Sequence, residues 1–381
     1  MEGLVIALFV CLVLALVSKY LAIPPIPFYI IAGIVIGKAG LGLVTSDPIS
    51  SFFSDMGLIF LLFFVGLGLK IDKISDNQRE VLISGLIDLN VNMFIGFAAA
   101  YLLGFSLVES LIVAAAFYSS STAMTVTSLI ENRKLMMKES ETIIWLMVFE
   151  DIVLIIILAF LSAGNENLLL FTVEILCGLA LMYVLAQYGK EFLVSILDRD
   201  DELPVLFTFV AVIATAGFAL TIGVPDTLMV IALGAAFATT DPDEFERHAR
   251  PFKDVFMVIF FVFFGITINL SGNFNLSVIA IICLLAVASK LISGVLTGIA
   301  LYGSARSGLE IWATTIGRGE FSIALAALYG SPAVVVTVAV MVVVTSLVGS
   351  FTAKYSGLIT HGFSGRGRRH GPPSHRMHTG H

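Results

Sequence analysis

The chain of 381 residues is 58% hydrophobic and only 13% charged, with a mean hydropathy of +1.01. Soluble domains carry about 25% charged residues, so this composition excludes an ordinary soluble protein. The net charge of -7 excludes little, because in a membrane protein the side on which charges lie matters more than their sum.

Thirteen apolar segments follow one another along the chain, and most are about 20 residues long, enough to cross the hydrocarbon core. They are predicted at 3–22, 26–44, 52–70, 80–104, 107–131, 140–163, 167–190, 204–222, 224–240, 252–270, 275–302, 307–330 and 332–354. The second is rich in glycine and proline, and we expect it to be partly re-entrant. The sequence thus predicts an all-α polytopic membrane protein with about 13 transmembrane helices.

Basic residues concentrate in alternate loops. With the N-terminus outside, eighteen of the 21 Lys and Arg residues fall in inner loops or the C-terminal tail, and only Lys38 falls in an outer loop. The positive-inside rule therefore predicts an outside N-terminus and a cytoplasmic C-terminus. The first segment lacks a basic start and a cleavage site, so we expect a retained helix and not a signal peptide. Residues 355–381 are basic and are predicted to form a disordered cytoplasmic tail.

Span 4 contains Asp88, Asn90 and Asn92. Asp88 and Asn92 share one helix face because they are four residues apart. Two alternatives stay open for them: they line the inner half of an ion path, or they bond the interrupted backbone of the next span.

Span 5 has four consecutive hydroxyl residues at its centre, Ser119–Thr122. Hydroxyls compete for backbone hydrogen bonds and weaken a helix there. Hydroxyl oxygens and freed carbonyls are also good ligands for a hard cation, so the row is a candidate ion site, with Ser119 assigned to the ion path. The alternative is a small-residue surface for helix packing.

Span 6 carries Glu150 and Asp151 side by side in the apolar run Ile143–Ala163. One charged side chain at a helix centre costs about 3 kcal/mol on insertion scales, so two indicate a path for cations or protons. Adjacent residues point about 100° apart, so the two carboxylates face different neighbours. Like charges in dry surroundings favour proton binding near neutral pH, which competition between proton and cation requires. The alternative is a structural hydrogen-bonding pair.

Span 11 contains Lys290, which is too far from either end to reach water easily. It needs a carboxylate partner, and Asp151 or Glu150 is the natural choice. An ion pair that opens when a cation displaces the ammonium would act as a switch. The alternative is a purely structural ion pair.

Span 12 reads Gly317-Arg318-Gly319-Glu320 at its centre, which predicts a helix break. Glu320 would neutralise the positive N-terminal end of one half-helix, and Arg318 the negative C-terminal end of another. Irregular backbone at this depth occurs only where it is buried in protein or lines a cavity. The alternative is a cytoplasmic loop between two short spans.

The two interrupted spans occupy matching positions, in the middle of the triplets 4–5–6 and 11–12–13. Paired interruptions of this kind indicate a transporter site at the bilayer midplane. Because the triplets are seven spans apart, the second is predicted to be inverted relative to the first.

Several segments resemble the cation:proton antiporter-2 family, which includes NapA-type sodium/proton antiporters and Kef-type potassium transporters. They are IPFYIIAG (26–33), FLLFFVGLGL (60–69), SSTA (120–123), RPFK (250–253), FFVFFGITI (260–268) and GEF (319–321), in matching order and spacing. The resemblance covers residues 1–354.

The resemblance implies a secondary antiporter that exchanges Na+ or K+ for H+ by an elevator-type movement, with thirteen spans, crossed broken helices and a homodimer in a prokaryotic plasma or inner membrane. The family's key aspartate corresponds to Asp151, its preceding acidic or polar residue to Glu150 and its core lysine to Lys290. The hydroxyl at the break corresponds to Thr122, with Ser121 beside it. Asp151 and Glu150 would bind the transported cation, and no cofactor or nucleic-acid partner is expected.

The implied domains are the N-terminal helices of the dimer side (1–79), core half 1 (80–163), linking and scaffold helices (164–270), core half 2 (271–354) and the tail. The family pair is usually Asp-Asp, Asn-Asp or Gln-Asp, whereas this chain has Glu-Asp. A second negative charge favours electrogenic exchange with more than one proton. The sequence after the last span is too short for the nucleotide-sensing domain of Kef-type members, which favours sodium over potassium.

Three other functions compete with this one. A Kef-like potassium efflux transporter or a cation channel would use the same charges. An intramembrane aspartyl protease would use Asp88 and Asp151, but the Gly-x-Gly-Asp motif of such enzymes is absent from the sequence.

Overall fold

The computed structural model describes residues 2–21, 25–45, 47–68, 78–163, 177–178, 180, 182, 184, 188–222, 224–268 and 275–362. These residues form fifteen helices. The helices are α1 (Glu2–Leu21), α2 (Ile26–Ile36), α3 (Pro48–Leu67), α4 (Gln78–Leu102), α5 (Leu107–Tyr118), α6 (Thr122–Glu131), α7 (Lys138–Ala163), α8 (Lys190–Leu197), α9 (Leu203–Ile222), α10 (Asp226–Ala238), α11 (Pro242–Thr267), α12 (Leu276–Tyr302), α13 (Ala305–Thr315), α14 (Glu320–Tyr329) and α15 (Pro332–Gly362).

Seven of these helices, α1, α3, α4, α7, α9, α12 and α15, are long and apolar enough to cross a membrane. Four shorter helices, α2, α5, α10 and α14, are also apolar. The prediction of an all-helical membrane protein is therefore confirmed.

Short capping motifs set where helices begin. The Asp47 side chain accepts a hydrogen bond from the Ser50 backbone at 2.7 Å, while the Asp47 backbone donates to the Ser50 hydroxyl at 2.9 Å. Ser106 and Glu109 repeat this reciprocal arrangement at the start of α5. Both motifs satisfy backbone N–H groups that the first helical turn leaves without partners.

Helices α1–α3 and α8–α11 pack together, and we call them the scaffold bundle. Its helices approach closely at glycines. A Cβ atom on Gly33 would lie 2.1 Å from the Val262 carbonyl oxygen, and one on Gly66 would lie 2.0 Å from that of Ile231. Only glycine allows such a backbone approach, which membrane helices use to increase packing contacts.

Helices α4–α7 and α12–α15 form a second group, the core bundle. The long helix α4 packs along α5, and α12 packs along α13 in the same way; α4 and α12 also pack against each other. Gly298 and Gly308 allow the contact of α12 with α13, because a Cβ on Gly298 would lie 2.1 Å from the Gly308 nitrogen. Each half of the core bundle thus places one long helix beside an interrupted one.

Several predicted boundaries differ from the observed ones. Span 2 is helical only to Ile36, after which the chain turns through Gly42 at a φ of +64°. Helix α11 begins ten residues before predicted span 10, because Asp241 caps it and the charged turns that follow remain helical outside the apolar stretch.

The C-terminal prediction also needs correction, because α15 continues to Gly362 and so includes the first residues of the segment predicted to be disordered. Residues 363–381 lie outside the described residues, as does most of span 7. Spans 5 and 12 are each divided into two helices, which confirms the two predicted interruptions.

Candidate functional site

The two interruptions lie against each other. Helix α5 ends at Tyr118 and α6 begins at Thr122, while α13 ends at Thr315 and α14 begins at Glu320. The Ser121 N–H donates to the Gly317 carbonyl at 2.9 Å, and Ser120 and Arg318 form an isolated antiparallel bridge. Each break thereby satisfies backbone groups of the other, as burial requires.

Glu320 lies beside the N-terminal ends of two half-helices. It is the first residue of α14, and its Oε2 accepts a 3.2 Å hydrogen bond from the hydroxyl of Ser121, the N-cap residue of α6. A carboxylate at this place lies where it would complement the positive end of a half-helix, and this role of Glu320 stays a prediction.

The contacts of Arg318 differ from those expected. Its Nη2 donates to the Ala286 carbonyl of α12 at 3.0 Å and lies 3.4 Å from Asn92 Oδ1. At the C-terminal end of α5, the free carbonyl of Ala116 instead accepts a hydrogen bond of 3.0 Å from the Ser322 hydroxyl. Serine at this position caps the half-helix without a charge, so compensation of a helix end by Arg318 stays a prediction.

Lys290 pairs with two carboxylates, and all three side chains are buried. Its Nζ lies 2.7 Å from Asp88 Oδ2 and 2.7 Å from Glu150 Oε1. The predicted partner was Asp151 or Glu150, so Glu150 fits, while Asp88 replaces Asp151. Asp88 takes this place because α4 packs directly on α12.

Glu150 connects this ion-pair cluster to the first break. Its Oε2 accepts a 2.6 Å hydrogen bond from the Ser120 N–H, and its Oε1 accepts one of 3.1 Å from the Ser120 hydroxyl. The side chain is therefore held at both oxygens, and its position depends on both Lys290 and the interrupted backbone.

Asp88 and Asn92 lie in a polar network with α12. Asp88 Oδ1 accepts hydrogen bonds from the Ser293 hydroxyl at 2.7 Å and from Asn92 Nδ2 at 2.9 Å. The Ser289 hydroxyl donates to Asn92 Oδ1 at 2.8 Å. The alternative in which they bond the broken backbone of span 5 is therefore wrong for this structure, because these side chains face α12.

Asp151 differs from its neighbour. Its carboxylate has no hydrogen bond or ion pair with any described residue. The charged groups that act on it are two further carboxylates, Glu150 and Glu320. At the first break, the hydroxyl oxygens of Thr122 and Ser119 are buried without a hydrogen-bond partner. Oxygen atoms without partners thus concentrate at the first break and on Asp151.

The charges of the site are not balanced. If every group were ionised, Asp88, Glu150, Asp151 and Glu320 would face only Lys290 and Arg318. Carboxylates in such an excess, with Asp88, Glu150 and Glu320 buried and Asp151 partly exposed, gain by binding a cation or a proton. The arrangement can therefore hold exchangeable positive charge.

Sequence reasoning missed several polar residues around this site: Ser289, Ser293, Ser322 and the buried phenol of Tyr118. A signal for two of them was present, because Ser289 and Ser293 have the same four-residue spacing as Asp88 and Asn92 on the facing helix. Matching polar spacings on two long helices indicate a shared face.

Known proteins are similar to this chain over most of its length. The profile of the family described as "Sodium/hydrogen exchanger, transmembrane" matches residues 4–355. The K+/H+ antiporter subunit KhtU of Bacillus subtilis is 30% identical over 86% of this chain and 86% of its own length. The ammonium/H+ antiporter subunit AmhT of Alkalihalophilus pseudofirmus is 27% identical over 92% and 91%, and the Na+/H+-K+ antiporter GerN of Bacillus cereus is 26% identical over 81% and 82%.

Among solved structures, the sodium proton antiporter MjNhaP1 of Methanocaldococcus jannaschii is similar with a TM-score of 0.69 and 18% identity, over 95% of this chain and 97% of that one. This likeness supports the fold alone. With a family match over nearly its whole length, the chain belongs to the sodium/hydrogen exchanger family of monovalent cation/proton antiporters and is a membrane transporter, not an enzyme.

Proposed function

We propose that the protein exchanges Na+ or K+ for H+, with Asp151 binding either the cation or a proton. The observation that carries this proposal is the contrast between the two adjacent carboxylates. Glu150 is held at both oxygens, whereas the Asp151 carboxylate is free of hydrogen bonds to the described residues. A partly exposed carboxylate without these bonds, next to the buried carboxylate of Glu150, is the group that an incoming cation or proton meets.

The hydroxyls of the first break complete this proposed site. Thr122 offers a buried oxygen without a partner, and Ser121 lies beside it as the cap of α6. Neutral oxygens replace part of the hydration shell of a cation, while Asp151 supplies the charge. Ser119 adds another unpartnered oxygen on the same break.

Competition at this site couples the two fluxes. A cation at Asp151 adds positive charge beside Glu150 and weakens the attraction between Glu150 and Lys290. The ion pair then opens and releases a proton, so Lys290 acts as the switch. Because cation and proton exclude each other, the gradient of one drives transport of the other.

The finer architecture belongs to the same proposal. We propose thirteen spans with the N-terminus outside, an inverted repeat of the two core halves, a homodimer formed through the scaffold side, and an elevator-type movement of the core. The matched arrangement of α4 with α5 and of α12 with α13 supports the repeat.

The identity of the cation is left to experiment. Relatives carry names that specify K+, ammonium, and Na+ with K+. These names support potassium as strongly as sodium, so Kef-like potassium efflux is the second candidate. Ammonium belongs among the ions to be measured.

The test is cation-driven proton flux in proteoliposomes that contain wild-type protein or the Asp151→Asn variant. We expect the wild type to exchange and the variant to lose exchange with Na+, K+ and ammonium. Asp200→Asn, a neutralisation in an exposed loop, serves as the matched control and should exchange normally. Retained exchange in Asp151→Asn would refute the assignment, and single-channel conductance in the wild type would favour a channel.

A further inference from the structure

Tyr118 is a buried phenol that the exchange mechanism has not yet used. It is the last residue of α5, directly before the first break, and it is fully buried. Its hydroxyl has no hydrogen-bond partner. A buried donor without an acceptor costs free energy. We therefore expect the Tyr118 hydroxyl to find an acceptor in another state of the protein.

The surroundings of the phenol point to that state. Lys290 Nζ lies 5.9 Å from the centroid of the Tyr118 ring, so the ring faces the ion-pair cluster. Three carboxylates act electrostatically on the phenol, first Glu150, then Asp88 and then Asp151. The two carboxylates that act most strongly on the Tyr118 phenol are therefore the two partners of Lys290.

Opening of the ion pair removes donors from these partners. In the described state Lys290 donates to Asp88 Oδ2 and to Glu150 Oε1. Three other residues already donate to these carboxylates: Ser120 to Glu150, and Ser293 and Asn92 to Asp88. When Lys290 leaves, several buried donors around these carboxylates have no partner among the described residues: the hydroxyls of Tyr118, Ser119 and Thr122, and Nε and Nη1 of Arg318. Among them, the Tyr118 hydroxyl belongs to the ring that faces Lys290 itself.

We propose that Tyr118 is a positioning residue whose hydroxyl donates to the carboxylates that Lys290 releases, Glu150 first, and so stabilises the opened, cation-loaded state. The inference rests on the proposed antiport. Tyr118 acts through Glu150 and Asp88 and sets how readily a cation displaces the lysine. The hydroxyl is idle while the ion pair is closed and engaged once it is open.

Several ionisable groups bear on the pH dependence of this step. They are Asp88 on α4, Glu150 and Asp151 on α7, Lys290 on α12, and Arg318 and Glu320 at the second break. Without the Tyr118 hydroxyl, the closed state that retains the lysine proton is favoured. More cation, or a higher pH, is then needed to open it.

The test compares wild-type protein with Tyr118→Phe, which keeps the ring and removes only the hydroxyl. We expect the half-saturating concentration of the transported cation to rise about tenfold, the factor for one hydrogen bond to a charged group. The pH–rate profile should move to higher pH, while the maximal rate changes little. The melting temperature of the cation-free variant at low pH should equal or exceed that of wild type, because the closed state does not use the hydroxyl.

The last readout separates this role from a structural one, since loss of a structural hydrogen bond would lower the melting temperature without cation. Tyr29→Phe, which removes a buried phenol of the scaffold bundle, is the matched control and should leave half-saturation unchanged. If Tyr118→Phe cannot be purified folded, 3-fluorotyrosine at position 118 keeps the donor and strengthens it, and half-saturation should then fall.

Wild-type half-saturation and an unshifted pH profile in Tyr118→Phe, or in the fluorinated protein, would overturn the inference. That outcome would leave the antiport intact as long as wild-type protein exchanges and Asp151→Asn does not. Absence of exchange in wild type would instead count against the antiport itself.

Discussion

The core bundle and the scaffold bundle are stabilised in opposite ways. All buried charged side chains among the described residues belong to the core bundle: Asp88, Glu139, Glu150, Lys290, Glu310, Arg318 and Glu320. The scaffold bundle instead contains all but one of the aromatic ring pairs found in the described part of the chain, such as Phe60 with Phe209 at 5.6 Å and Phe237 with Phe245 at 4.0 Å.

This difference separates two tasks within one membrane protein. Buried charges are costly in hydrocarbon and persist where they serve an ion path, so stability in the core bundle depends on pairing. Close glycine contacts and stacked rings need no pairing and give the scaffold bundle its stability through packing. Substitutions in the core bundle should therefore change exchange, and those in the scaffold bundle should change stability alone.

The largest expected effect is that of Lys290→Ala. Removing one member of a buried ion pair leaves the other charges uncompensated, which costs about 3–5 kcal/mol of unfolding free energy. We expect a much lower melting temperature in detergent, measured by intrinsic fluorescence, together with loss of exchange.

A triple variant serves as the control for that experiment. Lys290→Met combined with Asp88→Asn and Glu150→Gln removes all three charges, so most of the stability should return while exchange stays absent. A Lys290→Ala protein that melts like wild type would show that stability of the core bundle does not depend on this pairing.

An intermediate effect is expected for Gly66→Ala in the scaffold bundle. The added Cβ would lie 2.0 Å from the Ile231 carbonyl oxygen and push α3 away from α10. Overpacking of this kind costs about 1–3 kcal/mol, which thermal melts will detect. Exchange per folded molecule should stay near that of wild type.

Gly217→Ala is the matched control, because a Cβ there meets no atom within 4 Å. Equal melting temperatures for Gly66→Ala and Gly217→Ala would contradict close packing of α3 on α10. Loss of exchange in folded Gly66→Ala would contradict the separation of tasks between the two bundles.

The smallest effect concerns His248, in the charged turns of α11 that precede its apolar stretch. Burial lowers the pKa of His248, as does the neighbouring Arg247, while Glu244 partly offsets both. Because the unfolded chain takes up a proton near pH 6.5 that the folded protein resists, stability falls as the pH drops below that value.

We expect His248→Gln to reduce this acid-side loss of stability and to leave melting at pH 8 unchanged, as measured by thermal melts across pH 5–8. Identical pH dependence in the variant and in wild type would show that His248 does not contribute.

Much of the fold was predictable because hydrocarbon imposes simple rules on sequence. Long apolar runs identified the membrane helices, and the row of hydroxyls and the Gly-Arg-Gly sequence identified the two breaks. Residues beyond the apolar stretch were not predictable in this way, because helix α11 begins at a cap on Asp241 that hydropathy does not register.

The site was predictable in its members and less so in its pairings. Glu150 and Lys290 were recognised because an intramembrane charge is rare. The pairing of Asp88 with Lys290 was not predictable, because it depends on contact between two helices about 200 residues apart in sequence. The position of a residue along its own helix does not show which other helix lies beside it. The sequence did not distinguish Ser120 from the three other hydroxyl residues of the first break. The structure does, because the Ser120 N–H and hydroxyl both donate to Glu150.

The two breaks are joined in part by main-chain atoms, through the Ser121 N–H on the Gly317 carbonyl and the bridge of Ser120 with Arg318. These bonds use no side-chain atoms, so a side-chain substitution does not by itself remove them. Substitution of the ion-binding side chains nearby therefore leaves this main-chain connection between the two halves in place.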